Sequence, residues 1–181
     1  MNVYDFSVKD QEGKEVALSS YKGKVLLIVN TATECGFTPQ YNAFQTFFAS
    51  HKDKDFEILD FPCNQFMAQA PGSDNDIHTA CVRRFNITFK QFSKICVNGA
   101  DTIPLYKFLK DNTKFKGFDD NHEITPILKD ILGKTIPDYE STSDIKWNFT
   151  KFLIDKAGNI VERFEPTASL DDMFLKIENL L

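Results

Sequence analysis

Val25-Leu-Leu-Ile-Val-Asn-Thr-Ala-Thr-Glu-Cys35-Gly-Phe-Thr38 is the stretch whose reading decides the fold. The apolar run Val25–Val29 reads as a buried strand. A turn holding Cys35 and Gly36 follows, and Thr38-Pro39 reads as a helix start, with Thr as N-cap and Pro at the first helical position. Cys35 is thereby placed between the C-terminal edge of a strand and a helix N-terminus. Ligands of open α/β sheets bind at that edge. Backbone N–H groups and the helix dipole would favour a thiolate there. On position alone, the competing reading is a small apolar residue in a turn.

Working outward, Val3–Val8 and Glu15–Leu18 flank the turn signal Asp10-Gln-Glu-Gly13 and predict a short hairpin. Tyr41, Phe44, Phe47 and Phe48 form one stripe of the helix after Cys35. Phe56–Phe61 reads as the next strand, parallel to the first through a right-handed crossover. An irregular loop, 62–72, should begin beside the Cys35 turn. Ser73 and Asp76 form a capping box for a helix over about 74–85, with Ile77, Ala80, Cys81 and Phe85 on its apolar face. Lys94–Val97 is expected as a short strand and Pro104–Leu109 as a helix. The polar region from about 112 to 145 predicts a helix over Pro126–Leu132. Asn148–Ile154 and Ile160–Phe164 pair around Asp155-Lys-Ala-Gly158-Asn159. Ser169 with Asp172 caps a last helix. The expectation is one α/β domain spanning 1–181, a central mixed sheet with helices on both faces.

Composition narrows the function. The net charge is −5 with no basic stripe, which argues against nucleic acid as a partner. No apolar run approaches the ~18 residues of a membrane span, and the N-terminus lacks the basic and apolar regions of a secretory leader. A soluble, cytoplasmic protein without membrane anchoring is expected. The four cysteines, Cys35, Cys63, Cys81 and Cys96, show no C-x-x-C pair, and the three histidines are scattered, so no metal site is expected. In a reducing compartment such thiols read as free, buried or catalytic. No glycine-rich phosphate loop asks for a nucleotide.

Three segments together resemble the signature motifs of the glutathione peroxidase family: Asn30-Thr-Ala-Thr-Glu-Cys-Gly-Phe-Thr-Pro-Gln-Tyr41, Phe61-Pro-Cys-Asn-Gln-Phe66 and Trp147-Asn-Phe-Thr-Lys-Phe-Leu153. The likeness extends through Val97-Asn-Gly, Pro104-Leu-Tyr and Arg163-Phe-Glu-Pro-Thr167, and leaves out about 112–144. It implies a thioredoxin-like fold, with the hairpin at its N-terminus and an insertion at about 112–145, and reduction of hydrogen peroxide and organic or lipid hydroperoxides. Cys35 matches the peroxidatic residue; Gln69, Trp147 and Asn148 match its catalytic partners. Trp is a pure N–H donor and the amides bring two donors each, suited to a thiolate and to a departing oxygen. Read singly, Trp147 would be a core residue, Asn148 a strand end and Gln69 a solvated loop residue.

Cys81 matches the resolving cysteine of two-cysteine members, in which a disulfide is recycled by thioredoxin. To meet Cys35, the 74–85 helix would have to unwind. Glutathione is the other reductant the resemblance allows, but no arginine cluster presents itself for glutathione carboxylates. Cys63 reads as structural and Cys96 as inert. Met67-Ala68 replaces a Gly-Gly-like pair, Ala70 an acidic residue, Lys90 a proline and Glu34 a common lysine. A carboxylate beside Cys35 would raise its pKa unless it faces solvent. Relatives with an insertion near 112–145 tend to be oligomers, so monomer and dimer both stay open. Two rival readings use the same residues: a peroxide sensor that relays oxidation to a partner, and a binding module with structural cysteines.

Overall fold

The computed structural model describes all 181 residues, Met1–Leu181. Seven strands and five α-helices succeed one another as β1 (Ser7–Lys9), β2 (Glu15–Ala17), β3 (Val25–Thr31), α1 (Gln40–Ser50), β4 (Phe56–Pro62), α2 (Asp74–Phe85), β5 (Lys90–Gln91), α3 (Pro104–Asp111), α4 (Thr125–Thr135), β6 (Lys151–Ile154), β7 (Ile160–Phe164) and α5 (Leu170–Glu178). β1 and β2 form the expected hairpin, and the other five strands form one mixed sheet in the order β5-β4-β3-β6-β7. β3 runs parallel to β4 and antiparallel to β6. All seven residues of β3 are buried, as befits the central strand.

Alternation along the strands divides the side chains between two layers. Phe61 and Phe152 meet Tyr106 of α3 on one face. On the other, α1 sends Tyr41 and Phe44 against Phe149, and Phe47 stacks on Phe174 of α5 at 4.3 Å. The phenylalanine-rich composition is spent on this continuous core of rings.

Several sequence expectations shift. α1 begins at Gln40, and Thr38 does not cap it; the Thr38 hydroxyl instead accepts from Cys35 N–H at 3.0 Å and donates to the Ala32 carbonyl at 2.8 Å. The strand expected at 94–97 is displaced to Lys90–Gln91. Residues 94–97 are tied elsewhere, Lys94 N–H to the Asp74 carboxylate and Ile95 N–H to the Pro62 carbonyl. β6 starts at Lys151, not Asn148, because Phe149 takes a left-handed backbone (φ 66°) that no strand accommodates. The region 112–145 folds back onto the body. α4 extends the expected helix at both ends, and Phe118, Leu128, Leu132 and Tyr139 are buried.

Candidate active site

The site lies where β3 and β4 end side by side. Cys35 is 7% exposed in the turn after β3, with the Phe37 N–H directed at its Sγ at 3.4 Å. Gly36 beside it packs so closely on Ile124 that an added Cβ would stand 3.3 Å from the Ile124 methyl. The 112–145 region therefore buttresses the cysteine turn, which its polar composition did not announce.

Trp147 and Asn148 approach from the other side, in the turn before β6, close enough for the indole N–H and the carboxamide to stabilise a sulfur anion. Their placement is enforced from β3. Asn30 accepts the Phe149 N–H at 2.6 Å on its carbonyl, and its side chain donates to the Trp147 carbonyl at 3.3 Å. The Thr150 hydroxyl adds a bond to the same carbonyl at 3.0 Å. Trp147 leans on Phe66, ring centroids 5.7 Å apart.

Gln69 comes from the loop after β4. Its backbone carbonyl accepts the Glu34 N–H at 2.9 Å, and its side-chain oxygen accepts from the Asn148 amide at 3.3 Å. That bond engages the Gln69 side-chain oxygen and not its nitrogen. Asn64 closes the loop by accepting the Ala70 N–H at 2.9 Å. Gln65 binds the Val97 and Asn98 backbone, and Asn98 in turn binds both backbone groups of Ile145, two residues before Trp147. The Phe61–Phe66 and Val97-Asn-Gly segments thus serve as fasteners between the two halves of the site. Met67 and Ala68 both stand at positive φ, 53° and 52°. The backbone conformation suits glycine, and two side-chain-bearing residues hold it at a cost of about 1 kcal/mol each.

Electrostatics correct one expectation. The helix N-terminus begins five residues past Cys35, and burial pushes the thiol above its usual range. Phe37 N–H, Trp147, Asn148 and the charge of Lys151 pull it back. Glu34 is exposed and does not figure among these influences.

Cys81 is fully buried on the inner face of α2, whose capping box at Ser73 and Asp76 forms as expected. Its Sγ accepts from Gln91 Nε2 at 3.6 Å, and the same nitrogen donates to Asp60 Oδ2 at 2.8 Å. Asp60 also accepts from Tyr41 at 2.8 Å and from Thr31. Burial raises Asp60 to about 6 against the pull of those three donors. Burial and the Asp60 charge raise Cys81 to about 11. Arg84, on the last turn of α2, donates to the Thr33 carbonyl at 2.7 Å and so ties that helix to the cysteine turn. Cys63 is buried and pushed to about 11, Cys96 is half-buried, and all four thiols are free. Asp60 and Lys151 belong to no sequence motif of charge; the signal for each is a charge inside an apolar strand.

No cluster of three potential metal ligands occurs, and no helix is long and apolar enough to cross a membrane. The glutathione peroxidase family model matches residues 3–110. A glutathione peroxidase homolog of Neisseria meningitidis is 49% identical over all of both chains. The hydroperoxy fatty acid reductase of Synechocystis is 42% identical over 99% of this chain and 95% of its own. The crystal structure of T. cruzi GPX1 superposes with a TM-score of 0.69 at 36% identity, covering 99% of this chain and 96% of that one. The expected thioredoxin-like fold is the one observed.

Proposed function

The chain belongs to the glutathione peroxidase family and is a peroxide-reducing oxidoreductase, and on that premise we propose a two-thiol cycle run by Cys35 and Cys81. The observation that carries the reading is one buried sulfur with the Phe37 N–H directed at it, Trp147 and Asn148 beside it favouring its anion, and Gln69 bound to Asn148. The Cys35 thiolate attacks one oxygen of the peroxide. An S–O bond forms, the O–O bond breaks, and the departing alkoxide or hydroxide takes a proton, leaving a sulfenic acid and an alcohol or water. Trp147 and Asn148 hold the thiolate, while the free amide of Gln69 meets the oxygen on which charge develops.

Cys81 then attacks the sulfenic sulfur and expels water as a disulfide forms. A disulfide needs Cα atoms within about 7 Å, and Cys81 faces Gln91 and Asp60 inside α2, so α2 has to unwind. A thioredoxin dithiol reduces the disulfide by exchange. Thioredoxin is favoured over glutathione because the three arginines form no cluster for carboxylates: Arg163 is buried against Glu165, Arg84 is bound to Thr33, and Arg83 alone is exposed. The expected substrates are hydrogen peroxide and organic or lipid hydroperoxides, in keeping with relatives that include a hydroperoxy fatty acid reductase. The free thiols fit a reducing cytoplasm, in a monomer or dimer.

The test is a disulfide map by mass spectrometry after one equivalent of hydrogen peroxide. A Cys35–Cys81 bond, reversed by thioredoxin, is the expected result. Sulfenic acid at Cys35 with Cys81 still free would transfer the second step to glutathione. An unchanged Cys35 would overturn the assignment of the site.

A further inference from the structure

Beneath α2, the edge strand β5 carries a buried amide whose polar atoms are all used. Gln91 is 3% exposed. Its Nε2 donates to Asp60 Oδ2 at 2.8 Å and to Cys81 Sγ at 3.6 Å. Its Oε1 lies 3.2 Å from His78 Nδ1 and accepts from Gln11 Nε2 at 3.4 Å. The Asp60 carboxylate decides which end of the amide is nitrogen. An amide oxygen only accepts, so the His78 proton sits on Nδ1.

His78 and Cys81 stand three residues apart on α2 and therefore share a face. One side chain thus grips the helix at two points, with its oxygen and its nitrogen. Asp60, the register partner of Gln91 in the sheet, holds that side chain from β4. The other fastenings of α2 lie toward its ends: Ser73 with Asp76, Lys94 N–H on Asp74, and Arg84 on the Thr33 carbonyl. Gln91 is the fastening at the turn that carries Cys81.

The chemistry of the grip matters. Its donor occupies a lone pair of the sulfur. Water can replace each of these bonds when the helix opens, so each is worth a factor of a few to about tenfold in the opening equilibrium. An apolar contact has no such substitute in water.

We propose that Gln91 is a positioning residue of the resolving step, the clamp that holds Cys81 in α2 and limits the rate at which the Cys35–Cys81 disulfide closes. The inference rests on the role assigned to Cys81 above. Once the amide lets go, the Cys81 sulfur attacks the sulfenic sulfur of Cys35. The S–S bond forms and the S–O bond breaks. Hydroxide leaves with the Cys81 proton as water, the Cys81 sulfur being oxidised as the sulfenic sulfur is reduced.

The test uses Gln91→Met, which has similar length and neither donor nor acceptor. One equivalent of hydrogen peroxide is added, samples are quenched in acid, and free thiol, sulfenic acid and disulfide are counted by mass spectrometry, so that closure is timed separately from the first oxidation. Closure should be about tenfold faster or more in Gln91→Met, and the peroxide dose that drives Cys35 to sulfinic acid should rise by a like factor. Met173→Ala, a cavity in α5, lowers global stability without touching the clamp; its closure should keep the original rate. Equal closure in Gln91→Met and the unaltered protein, or equal acceleration in Met173→Ala, would overturn the proposal. Should Gln91→Met not fold, His78→Leu removes one of the two holds and must accelerate closure by a factor of a few; an unmoved rate overturns the proposal. A missing Cys35–Cys81 disulfide in the unaltered protein would overturn the role of Cys81 instead. The clamp is then judged in the reduced protein by amide hydrogen exchange, which must be about tenfold faster over 78–82 in Gln91→Met, and unmoved exchange overturns it.

Discussion

Asp60 contributes stability that is lost as pH rises through about 6. Its carboxyl is fully buried and lifted from the ordinary 3.8 to about 6 by desolvation, despite donors from Thr31, Tyr41 and Gln91. A group raised in this way binds its proton more tightly in the folded chain than in the unfolded one. Its contribution is complete below about pH 4, is lost as pH climbs through about 6, and amounts to roughly 3 kcal/mol. Asp60→Asn cannot titrate. The difference in unfolding free energy between the two proteins should therefore change by roughly 2.5 kcal/mol from pH 4 to pH 7, the variant gaining on the unaltered chain. The absolute difference at any single pH also contains the rearranged bonds to Tyr41 and Gln91, but those do not vary with pH. Urea unfolding under reducing conditions, with equal denaturant slopes for both proteins, measures it. A difference that stays flat, or that moves in favour of the unaltered chain, would refute the argument.

Trp147→Phe keeps most of the packing on Phe66 and removes the indole N–H; Cys35 oxidation by peroxide should slow by roughly 10- to 100-fold, measured in a single turnover. Cys81→Ser should leave that first oxidation intact and abolish recycling by thioredoxin, with the sulfenic acid trapped by dimedone. Replacing Met67 and Ala68 together by glycine removes the left-handed strain but loosens the unfolded chain; urea unfolding should show a net gain below about 1 kcal/mol, and turnover should fall as Gln69 loses its fixed position.

What could be read in advance follows from where the information resides. The apolar runs of β3 and β4 and the two capped helices α2 and α5 are local patterns, and each appears where hydrophobicity and capping place it. Thr38 carries a cap signal, but its hydroxyl accepts the Cys35 N–H three residues earlier and α1 has no side-chain cap. Asn148 read as strand because nothing in its neighbours marks the positive φ of Phe149, which is imposed from a distance by Asn30. Asp60 and Lys151 look like interruptions of strands until the fold shows that Tyr41, Gln91 and Cys81 surround one, and Cys35 and Glu165 attend the other. Such partners are 19 or more residues apart in the Asp60 network, beyond the reach of any periodicity.

The caps of α2 have a kinetic consequence. The helix is fastened at its start by Ser73 and Asp76 and at its end by the left-handed Asn86. Under the two-thiol cycle its opening is a clock that runs at its own pace, whatever the peroxide concentration outside. At low dose the clock strikes first and the disulfide closes. At high dose a second peroxide reaches the waiting sulfenic acid before α2 has let Cys81 go, and the sulfur passes to the irreversible sulfinic state. The firmness of one short helix then sets the dose at which the enzyme switches itself off.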